Sequence, residues 1–469
     1  MRDYLEIPYD ELEEMNLRAK KRRASRSVSS DEIREERIRY LTDETGIKAI
    51  TVAFSDLEGR LHMLDYDKKF LLNSVDNLTF DGSSIRGFSA ISESDLRLSV
   101  DWEAFYWLPA DIWGPGKVLV FADVREDDGS PYVADMRSQL KSYLAGLSKD
   151  GYTVNVANEI EGFLFKGRYA EQHYAETGEF EVVTHGGYYY SLPADPLRLF
   201  IDSVAEVQRA LGFENEKDHP EVAPSQFEIN YSYSDALIAA DQVQLYKLVA
   251  RQVAYVQGHT ASFLPKPMTG VNGSGMHTNI SIAKDGENIF YDANGKDKLS
   301  QDGWNFIDGV LSNAHDICLV LNPSVNSYRR LDPNYEAPNE IKASAIDRSS
   351  MIRIPLGNSK SARVEVRSVA PDANPYLLFN TLIKTGLSGQ VKSELDPADT
   401  LPDNIYDAIQ DFSSSNFITE ILGSDVQERF TALKLRSADR CPRKLGSLIK
   451  QAELKFHHEV TTQYLWSKF

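Results

Sequence analysis

The chain is 469 residues long, 42% hydrophobic, and carries a formal net charge of −19 at pH 7. That length and apolar fraction allow a large core divided between two or three domains. The acidity argues against a nucleic-acid binder and against docking on an anionic membrane, although a local basic pocket could still hold a polyphosphate, so small molecules and proteins are the expected partners.

Residues 1–33 form a charged N-terminal extension without the apolar core of a signal peptide, and the basic run from Arg18 to Arg26 reads as a solvated helix face or a frayed arm. From Asp31 a helical pattern leads into a strand from Ile47, and Leu57-Glu58-Gly59-Arg60-Leu61-His62 turns into a second. Short strands are expected around Leu98 to Val100 and Val118 to Val124, with Trp113-Gly114-Pro115-Gly116 as the turn between them. These elements give a small sheet-rich domain over 34–127. Asp128-Gly129-Ser130-Pro131-Tyr132 marks the boundary to a second domain, 128–469. There an amphipathic pattern from Ala134 to Leu147, a strand at 152–165, a helix at 195–211, a strand at 226–233 and a helix at 236–260 alternate, which indicates an α+β architecture. The two cysteines, Cys318 and Cys441, make no disulfide framework and no thiolate metal site, as suits a reducing cytoplasm. No run approaches the roughly 18 apolar residues of a membrane span.

Charged residues recur where strands are expected. In Asn158-Glu159-Ile160-Glu161-Gly162 both glutamates fall on one strand face, about 7 Å apart, and repel unless something cationic lies between them. Alone, such a pair is more often the solvated face of an edge strand. It has company: His219-Pro220-Glu221 and Gln226-Phe227-Glu228-Ile229-Asn230 add hard oxygen donors suited to Mg²⁺ or Mn²⁺. Thr269 to Ser281 is a glycine-rich loop running into a strand that aligns His277, Asn279 and Ser281, and it lacks the Lys-Ser/Thr of a P-loop. Arg329, Arg330, Arg348 and Arg353 then precede Arg363-Val364-Glu365-Val366-Arg367, a strand with one fully charged face. Arginines converging on carboxylates imply an anionic substrate beside a cation site.

In order and spacing, Phe80-Asp81-Gly82-Ser83-Ser84, Glu93-Ser94-Asp95, Glu159-Ile160-Glu161, His219-Pro220-Glu221, Asn272-Gly273-Ser274-Gly275-Met276-His277, Tyr335-Glu336-Ala337-Pro338, Asp347-Arg348-Ser349 and the 363–367 strand resemble type I glutamine synthetase. The resemblance implies an N-terminal β-grasp domain followed by a catalytic domain built as an open antiparallel β funnel with surrounding helices. It also implies a homododecamer of two stacked hexameric rings, with active sites between subunits. The family reaction is ATP-dependent ligation of ammonia to L-glutamate through γ-glutamyl phosphate.

By resemblance, Glu161, Glu221 and Glu228 hold one Mg²⁺ or Mn²⁺, and Glu159, His277 and Glu365 hold a second. Asn272, Gly273, His277, Arg330 and Arg367 correspond to the glutamate site, and Tyr233, Ser281, Lys360 and Arg363 to nucleotide contacts. Asp81 from the adjacent subunit is the implied base, with Ser84, Tyr188 and Glu221 around the ammonium. Glu336 resembles the mobile flap, while Arg348 and Arg353 join Asp81 and Glu336 in the catalytic set. Tyr406 corresponds to a tyrosine adenylylated in some members. Pro220, Asn230 and Asp347 depart from the family pattern, as Asn279 does from many members, which puts ATP affinity or metal preference in question more than the acceptor. The rival expectations are a ligase for another amine and a catalytically weak regulatory paralogue.

Overall fold

Two sheets organise the chain. The computed structural model describes residues 7–88, 95–190, 194–331, 337–389, 399–439 and 450. Strands β1 (Ala49–Ser55), β2 (Leu61–Asp67), β3 (Leu78–Asp81), β4 (Asp95–Trp107) and β5 (Lys117–Arg125) form a five-stranded sheet in the order β2-β1-β5-β4-β3. β1 and β5 run parallel at its centre and the other neighbours are antiparallel. The central strands are buried on both faces, so β5 reads as a nearly continuous apolar run instead of alternating. The turn between β1 and β2 passes through Gly59 at φ +87°, where a Cβ would come within 2.7 Å of Asn374 Cα in the second domain. Glycine is therefore required twice over, by its backbone angle and by the closeness of the two domains.

The second sheet contains β6 (Tyr152–Lys166), β7 (Asn215–Pro220), β8 (Gln226–Tyr231), β9 (Ser234–Asp235), β10 (His259–Ser262), β11 (Met276–Lys284), β12 (Glu287–Asn288), β13 (Glu340–Ser344), β14 (Ser350–Arg353) and β15 (Val364–Val366). Its main path is β13-β14-β15-β11-β6-β8-β7, antiparallel throughout except for the β13–β14 pair. Helices cover its outer face. Helix Pro196–Ala210 starts where Asp195 accepts from Leu197 N and proline occupies the first turn, then buries Leu197, Phe200, Ile201 and Val204 at helical spacing. Helix Ala236–Val256, capped by Asp235, is buried almost all round because helices and sheet pack on it from several sides.

The mixed α and β architecture, the β-grasp-like first sheet and the largely antiparallel second sheet match the expected fold. The N-terminal basic stretch differs from a solvated arm. Helix Tyr9–Ser25 buries Leu12, Asn16 and Arg23. Asn16 Nδ2 donates to the backbone carbonyls of Trp107 at 3.0 Å and Ala210 at 2.7 Å, bridging both sheets' neighbourhoods. Among the described residues, no helix is long and apolar enough to cross a membrane.

Candidate active site

Strand register gathers charged residues on one face of the second sheet. Glu161 on β6 lies opposite Glu228 on β8, which lies opposite His219 on β7. In the other direction, Glu159 on β6 faces His277 on β11, Asn279 on β11 faces Glu365 on β15, and Glu365 faces Arg353 on β14. Because side chains alternate, a one-residue slip in any pairing would send these groups to the opposite face.

Two compact donor groups result: Glu159, His277 and Glu365, and His219, Glu221 and Glu228, with ligand atoms in each group within 4.8 Å of one another. His277 Nδ1 is 3.6 Å from Glu159 and 3.7 Å from Glu365. His219 Nδ1 is 3.4 Å from Glu221, and its Nε2 is 3.5 Å from Glu228. Glu161 stands beside the second group, not within it. One of its oxygens accepts from Gly275 N at 2.8 Å and Gln226 Nε2 at 3.3 Å.

The electrostatics call for cations. Burial, then repulsion from Glu161 and Glu228, pushes the Glu221 carboxyl up to about 7. Burial also raises Glu161, with Glu228 adding to it. Glu159 behaves oppositely: burial pushes it up, but the His277 hydrogen bond and charge more than offset this and hold it at about 2. His219 Nε2 is buried without a hydrogen-bond partner. An orphaned imidazole nitrogen among carboxylates that resist ionising together is a donor set that fits a hard divalent cation. The residues present therefore fit the expected metals, with His219 in the second compact group and Glu161 beside it on the same cavity wall.

Two cavities open on this face. The larger, about 880 Å³, is lined by Tyr188, Asn272, Gly273, His277, Arg330, Arg348, Arg353 and Arg367 and by Glu159, Glu161, Glu221, Glu228 and Glu365. The smaller, about 310 Å³, is lined by Tyr233, Ser281, Lys360 and Arg363, again with Glu159. Asp81 and Ser84 line neither. They sit at the end of β3, where Asp81 accepts from Ser83 N at 2.9 Å and Ser84 Oγ at 2.6 Å. Those bonds, led by the Ser83 and Ser84 side chains, hold the exposed Asp81 carboxyl below the usual aspartate range. Glu336 lies outside the described residues.

Arg330 is buried behind the glycine loop. Its Nη2 donates to Arg367 O at 3.0 Å, while Nη1 has no partner, and burial lowers the guanidinium to about 10. A Cβ on Gly275 would come within 2.6 Å of Arg330 Nη2, so the loop must lack side chains for the arginine to reach the cavity. Glu365, 1% exposed, is shared with Arg353 at 2.6 Å and Arg367 at 3.3 Å. Register alone could have flagged His219 and Lys217, because they alternate along β7 just before Glu221; neither had been singled out as a site residue. Tyr406 lies on helix Ile405–Ser414, its hydroxyl donating to Ala438 O at 3.2 Å.

The model of the glutamine synthetase catalytic domain matches residues 133–449, and that of the glutamine synthetase β-grasp domain matches residues 46–127. The chain belongs to the glutamine synthetase family. A glutamine synthetase of Methanosarcina mazei is 38% identical over 415 residues, covering 83% of this chain and 91% of that protein. One from Staphylococcus aureus is 40% identical over 382 residues, covering 80% and 83%. Among solved structures, a GmaS complex with ADP aligns with a TM-score of 0.75 at 26% identity, covering 87% of this chain and 96% of that one. The glutamine synthetase of Plasmodium falciparum aligns with a TM-score of 0.77 at 21% identity, covering 87% and 96%, and shares the fold.

The positions that depart from the glutamine synthetase pattern have local partners here. Asn230 Nδ2 donates to Glu228 Oε1 at 2.6 Å, where an aspartate would repel it. Asn279 donates to Glu159 at 3.3 Å and accepts from Arg363 Nε at 2.9 Å, tying the two cavities together. Asp347 pairs with Lys342 at 2.7 Å and accepts from Ser349 N, so its extra charge is met outside the cavity. Pro220 leaves the strand intact, since it still pairs with Phe227 at the end of β7, and its carbonyl accepts from Tyr189 N at 3.2 Å.

Proposed function

We propose that this ATP-dependent glutamate ligase uses ammonia as its acceptor and makes glutamine, ADP and phosphate. ATP would lie in the smaller cavity against Tyr233, Ser281, Lys360 and Arg363, and L-glutamate in the larger one. The free Nη1 of Arg330 supports a carboxylate there, since a buried guanidinium donor without a partner is costly until an anion meets it. Mg²⁺ or Mn²⁺ held by Glu159, His277 and Glu365 and by Glu221, Glu228 and His219 or Glu161 would neutralise phosphate charge.

The glutamate side-chain oxygen forms a bond to the γ phosphorus as the bond to the β–γ bridging oxygen breaks and ADP leaves. Arg353, Arg363 and Arg367 offset the charge that gathers where two anions meet, with Arg348 at the same cavity. Ammonium first gives one proton to a carboxylate; the ammonia nitrogen then bonds to the acyl carbon, and the bond to phosphate breaks as the nitrogen loses a second proton. Tyr188 and Glu221 bound the ammonium from this chain, while Asp81 and Ser84 would come from a neighbouring subunit of a dodecamer and Glu336 would close over the site. Asp81, kept ionised by Ser83 and Ser84, is suited to attract ammonium, and it is the proposed acceptor of the proton.

The observation that carries the ammonia reading is this retained acid set, with Tyr188 and Glu221 on the wall of the glutamate cavity. A second reading has its own support. GmaS, a γ-glutamylmethylamide synthetase, aligns over most of its length, and the stacked, exposed rings of Tyr188 and Tyr189, 3.8 Å apart, could face an alkyl group. Phosphate release with ATP, Mg²⁺ or Mn²⁺ and glutamate, followed across ammonium, methylamine, ethanolamine and putrescine, separates the two. Ammonium should give the fastest turnover. Turnover only with a carbon-bearing amine would overturn the acceptor, and no amine-dependent release would favour a regulatory paralogue.

A further inference from the structure

Lys217 has no part in the ligase reading, yet it lines both cavities, a position that among the residues described around them only Glu159 shares. It lies on β7 opposite Asn230, just after a register irregularity between Asn215 and Lys217. Such irregularities re-aim side chains. Alternation along the strand then places Lys217 on the face of His219. The side chain is exposed, and its charge is one of those that keep Glu159 ionised.

ATP in the smaller cavity and glutamate in the larger one can react only if the γ phosphorus crosses the seam between them. Glu159 at that seam is committed to the cation it would hold with His277 and Glu365; Lys217 adds a positive charge of its own there. An ammonium on a flexible stem is a point-charge phosphate binder that can move with its ligand. We propose that Lys217 binds the γ-phosphoryl group of ATP at the seam and stays with it as it passes to the glutamate side chain. The inference rests on the ligase reading. As the glutamate oxygen bonds to phosphorus and the β–γ bridging oxygen leaves with its electron pair on ADP, Lys217 keeps its proton and supplies charge only.

The test compares Lys217→Met, which keeps an apolar stem and removes the charge, with Lys217→Arg. Binding of ADP and of a non-hydrolysable ATP analogue is measured by calorimetry in magnesium buffer, together with single-turnover phosphoryl transfer to glutamate. Lys217→Met should weaken the analogue roughly tenfold, leave ADP within about twofold and slow transfer, and Lys217→Arg should restore most of each. A structural role would move both nucleotides together. Equal loss for both, or no loss for either, overturns the assignment to Lys217 alone. Wild-type protein that binds neither nucleotide overturns the ligase reading with it.

Discussion

The proposed recognition of glutamate turns on a single side chain, Arg330. It is buried, lines the larger cavity, spends one nitrogen on Arg367 O, and leaves Nη1 unpaired. Lysine at this position keeps the charge but loses the planar fork, and a charge-assisted hydrogen bond is worth roughly 1.5–3 kcal/mol. Arg330→Lys should therefore raise KM for glutamate on the order of tenfold to a hundredfold while KM for ATP stays within about twofold; steady-state kinetics with each substrate varied would check this, and equal shifts in both constants would refute it. Much of the site was legible at this scale, because Glu159, Glu161, Glu221, Glu228, His277 and Arg330 stand in recognisable motifs. What the motifs could not show is sharing. Glu365 was expected to serve a cation, yet it also neutralises Arg353 and Arg367, and Arg353 arrives from β14 through a pairing that no local pattern announces.

Between elements, a buried charge cluster replaces apolar packing where helices meet the first sheet. Arg137, on helix Met136–Lys149, donates to Asp123 at 2.6 Å, Asp101 at 2.8 Å and Asp241 at 2.9 Å, and Arg23 from the N-terminal helix reaches Asp241 at 2.8 Å. Arg137→Met would leave these buried carboxylates short of a partner, and breaking such a set costs about 3–5 kcal/mol. Urea unfolding should show that loss; a change under about 1 kcal/mol would mean the cluster is structurally idle. The sign of the pH dependence follows. Burial alone would raise Asp101 and Asp241, but Arg137 and Arg23, with Lys141 for Asp101, more than offset it and hold both low. Folded values below the unfolded value of about 3.9 stabilise the protein above that pH, and the benefit fades as pH falls further. Melting temperature should thus drop on the acid side of about pH 4, with a shallower fall in Arg137→Met. The strands and long helices were legible from period and caps. This cluster was not, since Arg23 and Asp241 lie 218 residues apart and a basic run at a chain end reads as solvated until its partner is placed.

At the scale of the whole molecule, the site within one chain is incomplete for the second half of the proposed reaction. Tyr188 and Glu221 border the larger cavity, whereas Asp81 and Ser84, at the end of β3 and bonded to each other, line neither cavity. If a neighbouring subunit supplies Asp81, each site combines a loop from one protomer with a cavity from another, as closed rings of head-to-tail contacts require. Two variants then become complementary. Asp81→Asn damages the loop and spares the cavity; Arg367→Ala does the reverse. Each homo-oligomer should be nearly inactive in amidation. Co-assembly from an equimolar unfolded or dissociated mixture should recover about a quarter of wild-type turnover, because a random ring joins an intact loop to an intact cavity at about one contact in four. Activity of the mixture no greater than the mean of its two components would place Asp81 and the cavity in the same subunit, or remove Asp81 from the reaction. Phosphoryl transfer to glutamate in the Asp81→Asn protein separates those outcomes: a base for ammonium can be lost while acyl phosphate still forms, so transfer should survive when amidation does not.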